Sequence, residues 1–123
     1  MHLHDLTIKK FNQGLVNKEF TALEMVQQLY KFIEKEDKKI NSYLSLDKEA
    51  AYLQAEAADL AIAKGKGVGP LTGVPLAIKD NILIADQPAT AASKMLENYT
   101  ATYDATVIRK LRNEGAVFLG KTN

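Results

Sequence analysis

The sequence predicts an α/β fold, with N-terminal helices followed by a strand–helix–strand portion of a parallel sheet. Three observations carry that prediction. Through the first 64 positions apolar residues recur at spacings of three and four, the period of helices with one buried face. The composition then shifts at Gly65-Lys66-Gly67-Val68-Gly69-Pro70, a connector in character. Beyond it lie two short apolar runs, Val74 to Ile78 and Ala116 to Leu119, with an amphipathic helical stretch between them. Strands of that buried character joined through a helix read as a βαβ crossover.

Each element has its own signal. Ile8, Phe11 and Leu15 outline a first short helix that stops around Gly14 to Asn17. Thr21-Ala22-Leu23-Glu24 is a capping box, in which the threonine hydroxyl accepts from the Glu24 amide while the Glu24 side chain reaches back. Leu23, Val26, Leu29, Tyr30 and Ile33 continue as one stripe to about Glu36. Ser42 to Leu46 alternates and predicts a short strand. Asp47 caps a third, alanine-rich helix that ends at Lys64 and Gly65. Ser93 is placed as the cap of a short helix through Tyr99. Asp104 is placed as the cap of a clearer one, with Val107, Ile108 and Leu111 on its apolar face and Gly115 as its stop.

At 123 residues the chain has room for one domain. It is 46% hydrophobic and 25% charged, which excludes a disordered tail, a collagen-like fibre and a low-complexity linker. The net charge is +1, spread evenly to either side of Lys64, so no basic arm for nucleic acid is present. The absence of cysteine excludes disulfides, thiolate metal sites and cysteine catalysis. The N-terminus has no apolar core of a secretory signal, and no apolar stretch approaches the ~20 residues of a membrane span, so a cytoplasmic protein is expected.

The domain reads as incomplete. Apolar strands of this kind need cover on both faces and neighbours on both edges, and the chain supplies about three short strands. Residues 1–64 form an N-terminal helical segment and 65–123 the start of an α/β core, both parts of one unfinished domain. By itself the chain is therefore expected to be oligomeric, aggregation-prone or loosely packed toward its C-terminus.

Several motifs dissolve on inspection. Gly115 to Thr122 matches the phosphate-loop pattern G-x-x-x-x-G-K-[ST], but its middle residues are the apolar strand itself and no helix follows. Gly65, Gly67 and Gly69 precede a strand where a dinucleotide fingerprint must follow one. His2 and His4 have no third ligand, so no metal site is expected. Asn98-Tyr99-Thr100 is a glycosylation sequon without a secretory signal. Lys79 is different. It ends the apolar run at the carboxyl end of a strand and is followed by Asp80-Asn81. A lysine held against apolar surroundings loses the hydration that favours its charged form and can act as a base. The competing reading is a surface lysine paired with a carboxylate at a strand end.

Residues 71–81, Leu-Thr-Gly-Val-Pro-Leu-Ala-Ile-Lys-Asp-Asn, resemble the lysine motif of the amidase signature family. The resemblance continues through Ala92 to Tyr99, Tyr103 to Val107 and Gly115 to Asn123, so its specific part covers residues 70–123. It departs from the family at Asp86 and Ala89, where glycine and threonine are often found. Within the family these segments look most like the glutamine-hydrolysing subunits of tRNA-dependent amidotransferases. The resemblance implies a large mixed sheet wrapped by helices and a catalytic set of serine, a second serine after a cis peptide bond, and lysine. Only the lysine has a counterpart here, Lys79, which would take the nucleophile's proton through the bridging serine. It further implies glutamine as substrate, subunits B and C of a heterotrimeric complex as partners, and misacylated tRNA bound mainly by a partner. ATP with Mg would be used by the full complex, with no cofactor held by this chain. The chain alone is expected to be inactive. A fragment of a general amidase and a stand-alone α/β interaction module are the alternative readings.

Overall fold

Thr7 opens the first helix by accepting a hydrogen bond from the Lys10 amide at 3.2 Å, one of the four amides that a helix start leaves unpaired. In this computed structural model, which describes residues 3–123, that helix is α1, Ile8–Val16. Phe11 and Leu15 are buried, whereas Ile8 sits in the overhanging first turn and is exposed. The Thr21–Glu24 capping box forms in both directions and starts α2, Ala22–Ile40. This helix runs a turn past the expected end at Glu36, because nothing in Asp37 to Ile40 disfavours it and Asn41 takes the left-handed stop (φ 57°). Asp37 then turns the chain, accepting from the Ser42 and Tyr43 amides at 2.8 and 3.1 Å.

Strand β1, Tyr43–Leu46, follows, and then α3, Lys48–Lys64, capped by Asp47 and stopped by left-handed Gly65. Ala51, Ala55 and Ala58 are its buried side chains, and their small size lets α3 lie close to its neighbours. The 65–73 connector is tied down at its far end, where Asn12 of α1 donates to the Gly69 carbonyl at 3.0 Å and Thr72 Oγ1 accepts from the Gly69 amide at 2.8 Å.

Strands β2, Pro75–Lys79, and β3, Val117–Thr122, are parallel, as the crossover pattern predicts, and β1 lies antiparallel on the other side of β3. The sheet order is therefore β1-β3-β2, with the strand latest in sequence at the centre and residues 43–46 sharing a sheet with 75–79 and 117–122. Strand β3 runs to Thr122 rather than stopping at Leu119, because Lys121 and Thr122 pair with Ile78 and Lys79 across the sheet.

Helix α4, Thr106–Asn113, joins β2 to β3. Two capping expectations are corrected between the strands. Asp104 does not cap α4, which begins after Ala105 without a side-chain cap. Its carboxylate instead accepts from the Ala85 amide at 2.8 Å and pairs with Arg112 at 2.8 Å, bridging the loop to the end of the helix. The Arg112 bond, together with the Ala85 amide, holds the Asp104 carboxyl below the usual aspartate value. Ser93 makes no capping bond either, and the expected helix through Tyr99 shrinks to one 3-10 turn, Lys94–Leu96. No side chain of that turn is buried, and Met95 is fully in solvent, so no packing extends it.

Two cores lie on opposite faces of the sheet. Val74, Val117 and Leu119 pack with α1, α2 and α3, while Ile78, Ala116 and Phe118 pack with Ile84 and with Ile108 of α4. The expectation that the apolar strands lie uncovered is corrected for β3, which is buried from Val117 to Lys121, whereas in β2 Ala77 is exposed and Pro75 and Leu76 are half-buried. Also open among the described residues is the outer edge of β1 and of β2.

Tyr30 links α2 to this sheet. It is 1% exposed, its hydroxyl donates to the Leu119 carbonyl at 2.6 Å, and its ring meets Tyr52 edge-on at 5.7 Å. Tyr30→Phe is expected to cost about 1–2 kcal/mol in urea unfolding, since the buried carbonyl loses its short donor. Burial, and then the charge of Asp47, push the phenol well above its ordinary value of 10.0. A raised folded value means stabilisation that is complete below the unfolded value and lost as pH rises through the folded one. Alkaline titration of the melting temperature should accordingly be flatter in Tyr30→Phe than in the parent.

Candidate active site

The carboxyl ends of β2 and β3 lie side by side, the place where open α/β sheets bind ligands. A cleft of about 120 Å³ opens there, lined by Lys79, Asp80, Asn81, Ala91, Ala92, Thr122 and Asn123. Lys79 reaches it as the last residue of β2, opposite Thr122. Strand alternation separates the two residues at this end, so that the Lys79 side chain is exposed and Asp80 is 2% exposed. Among the described residues Lys79 is a surface lysine, as in the competing reading, but without that reading's carboxylate partner. Its side chain stands in the open instead of against apolar surroundings, and it makes no ion pair. The neighbouring carboxylate is taken by another lysine.

That lysine is Lys121, which in the sequence falls in the phosphate-loop match and in the Gly115 to Asn123 stretch of the resemblance, neither of which gives it a role. It sits inside β3, wholly buried, with its Nζ 3.6 Å from Asp80 Oδ1. Burial pushes the Lys121 amine below an ordinary lysine, and Asp80 pulls part of that shift back. The ammonium also donates to the carbonyls of Ile82 and Pro88 at 2.7 and 3.0 Å. A polar residue following a glycine at the end of an apolar run carries no local sign of burial.

Asp80 holds the far wall of the cleft. Its amide donates to the Thr122 carbonyl at 2.7 Å, extending the β2–β3 ladder by one residue. Its Oδ2 accepts from the Thr90 amide at 3.1 Å and from the Thr90 hydroxyl, and its carbonyl accepts from the Ala91 amide at 3.2 Å. Ala91 and Ala92 are both left-handed, at φ 48° and 57°, a conformation that L-residues adopt only at a cost. Asp86 is left-handed too, at φ 66°, a turn that glycine would make more cheaply. Ala89 is buried.

Of the other motifs, the phosphate-loop match touches the cleft through its last residue, Thr122. Gly120, Lys121 and Thr122 are strand, not a phosphate loop. His2 lies outside the described residues, and among those described no cluster of three metal-ligating side chains exists. No helix among the described residues is long and apolar enough to cross a membrane.

This mixed sheet, with Lys79 at the end of its parallel pair, belongs to a known class. Residues 24–123 fit the family model described as Amidase, and the chain belongs to the amidase family. Among individual proteins it is 44% identical over 123 residues to the A-subunit of the glutamyl-tRNA(Gln) amidotransferase of Natranaerobius thermophilus, covering all of this chain and 25% of that one. It is 43% identical over 122 residues to the protein of the same name from Fusobacterium nucleatum, covering 99% of this chain and again 25% of the relative. The chain thus spans about a quarter of the curated relatives it matches. Of solved structures, the native peptide amidase from Stenotrophomonas maltophilia superposes with a TM-score of 0.88 at 30% identity, over 94% of this chain and 24% of that one.

Proposed function

We propose that the chain is the N-terminal part of the glutamine-hydrolysing subunit of a tRNA-dependent amidotransferase. The observation that carries this reading is the identity of 41–44% along the whole chain to A-subunits of glutamyl-tRNA(Gln) amidotransferases. In this reading Lys79 is the general base. It accepts, through a bridging serine supplied by the rest of the longer protein, the proton of a serine nucleophile as that oxygen attacks the glutamine side-chain carbonyl. The C–N bond breaks, ammonia leaves with the returned proton, and water hydrolyses the acyl-serine to release glutamate.

Several further features belong to the same proposal. Subunits B and C complete the complex, and the ammonia passes to a partner that binds misacylated Glu-tRNA(Gln) or Asp-tRNA(Asn). ATP with Mg activates the acyl group there, which makes the overall reaction a ligation, and the location is cytoplasmic. The exposed position of Lys79 in a cleft at the strand ends supports the base role, since a group meeting a nucleophile from other chain segments must be accessible. A general amidase is the second reading, favoured by the likeness to peptide amidase.

The test is to assay the longer protein with its partner subunits. Ammonia release from glutamine coupled to amidation of Glu-tRNA supports the proposal, and turnover of simple amides with none of glutamine sinks it in favour of the second reading. The 123-residue chain by itself is expected to release no ammonia from glutamine above the buffer rate. A base without its nucleophile and oxyanion donors has no acyl transfer to promote.

A further inference from the structure

Lys121 is the one wholly buried ammonium among the described residues, and its partners share a single loop. Asp80 begins that loop, Ile82 follows, and Pro88 lies on its returning arm; all three present oxygens to one nitrogen on β3. The Oδ1 atom of Asp80 is buried and accepts no hydrogen bond, so the facing ammonium is its compensation. Burying such a pair costs more desolvation than an apolar side chain of the same volume would. What the pair supplies in return is geometry. The two arms of the loop carry the two walls of the cleft, Asp80–Asn81 beside Lys79 on one side and left-handed Ala91–Ala92 on the other. With Thr90 bonded to Asp80 Oδ2, a continuous chain of contacts runs from β3 through Lys121 and Asp80 to the far wall.

We propose that Lys121 is a positioning residue for this cleft. Through Asp80 and the Ile82 and Pro88 carbonyls it fixes the spacing between Lys79 and the 90–92 wall. The proposal rests on the reading of Lys79 as the general base of glutamine hydrolysis. It predicts that loosening the tie misplaces the base side of the site without abolishing glutamine binding.

The experiment uses the longer amidotransferase, with rates expressed per titrated nucleophile so that a misfolded fraction does not count. Thr90→Val removes only the hydroxyl tie to Asp80 and leaves both cores intact; it should melt with the parent, lose about fivefold in kcat and keep its KM for glutamine. Lys121→Met leaves Asp80 buried without its partner and should lower the melting temperature. Asp80→Asn with Lys121→Met removes that stranded charge, so the melting temperature should recover while kcat stays down by about 10²-fold, the scale of a 1 Å misplacement. A double variant that regains both stability and full kcat, or a Thr90→Val enzyme with unchanged kcat, overturns the positioning role. Failure of the underlying reading looks different, because Lys79→Ala would then hydrolyse glutamine normally.

Discussion

Replacing Lys79 by alanine in the longer protein is expected to lower glutamine hydrolysis by roughly 10²–10⁴-fold, the usual contribution of a positioned base. Lys79 is exposed at a strand end and makes no ion pair among the described residues, so its removal should leave the fold and the melting temperature unchanged. Lys79→Arg should fail as completely, since a guanidinium stays protonated and cannot accept the nucleophile's proton. Supplying ammonia directly bypasses the step in which the lysine acts. Both variants should therefore still amidate Glu-tRNA when ammonium salt replaces glutamine, which separates loss of the base from loss of the complex. Near-normal glutamine hydrolysis by Lys79→Arg would show that the lysine only shapes the cleft.

The second large effect falls on stability. Gly120 lies in β3 where β1 crosses closest, opposite Leu46. A Cβ there would lie 2.9 Å from Leu46 Cδ2 and 3.2 Å from its Cα, and nearer still to the Ser45 carbonyl oxygen. Strand β3 is held by neighbours on both sides and cannot retreat. Gly120→Ala should therefore cost about 3 kcal/mol or more by overpacking, a fall of ~10 °C in melting temperature for a domain of this size. Gly65→Ala is the control. It has left-handed backbone at φ 65° but open space around the new methyl, and should cost only ~1 kcal/mol. Equal melting temperatures for the two variants would mean that β1 does not pack on β3 as described.

What the sequence made legible was local. The Thr21–Glu24 box and the Asp47 and Gly65 caps act over three or four residues, and each is found where its spacing puts it. The errors share a cause. Asp104 and Ser93 have the chemistry of caps, yet Asp104 is drawn off by Ala85 and Arg112, and the Ser93 turn has nothing to bury. Lys121 is the larger miss. Its burial depends on acceptors at Ile82 and Pro88, far away in sequence, which no periodicity reports. Lys79 is legible because it terminates an apolar strand, and that strand end is where it stands. Its role, by contrast, comes from resemblance. No pattern of spacing distinguishes an exposed base from an exposed lysine.

The sheet order also has a consequence for how the molecule is made. Among the described residues strands β1 and β2 are not paired with each other, and each pairs with β3. Synthesis runs from the N-terminus at about 5–20 residues per second, so several seconds pass between the emergence of Lys79 and that of Thr122. During that interval α1, α2 and α3 can gather around Val26 and Tyr30, but neither existing strand has a partner. Their amides and the underside of the helical layer stay wet until the central strand slides between them. A nascent chain halted just before Val117 should therefore be helical, sheet-free and a ready client for chaperones, and the sheet should form in one event when β3 arrives.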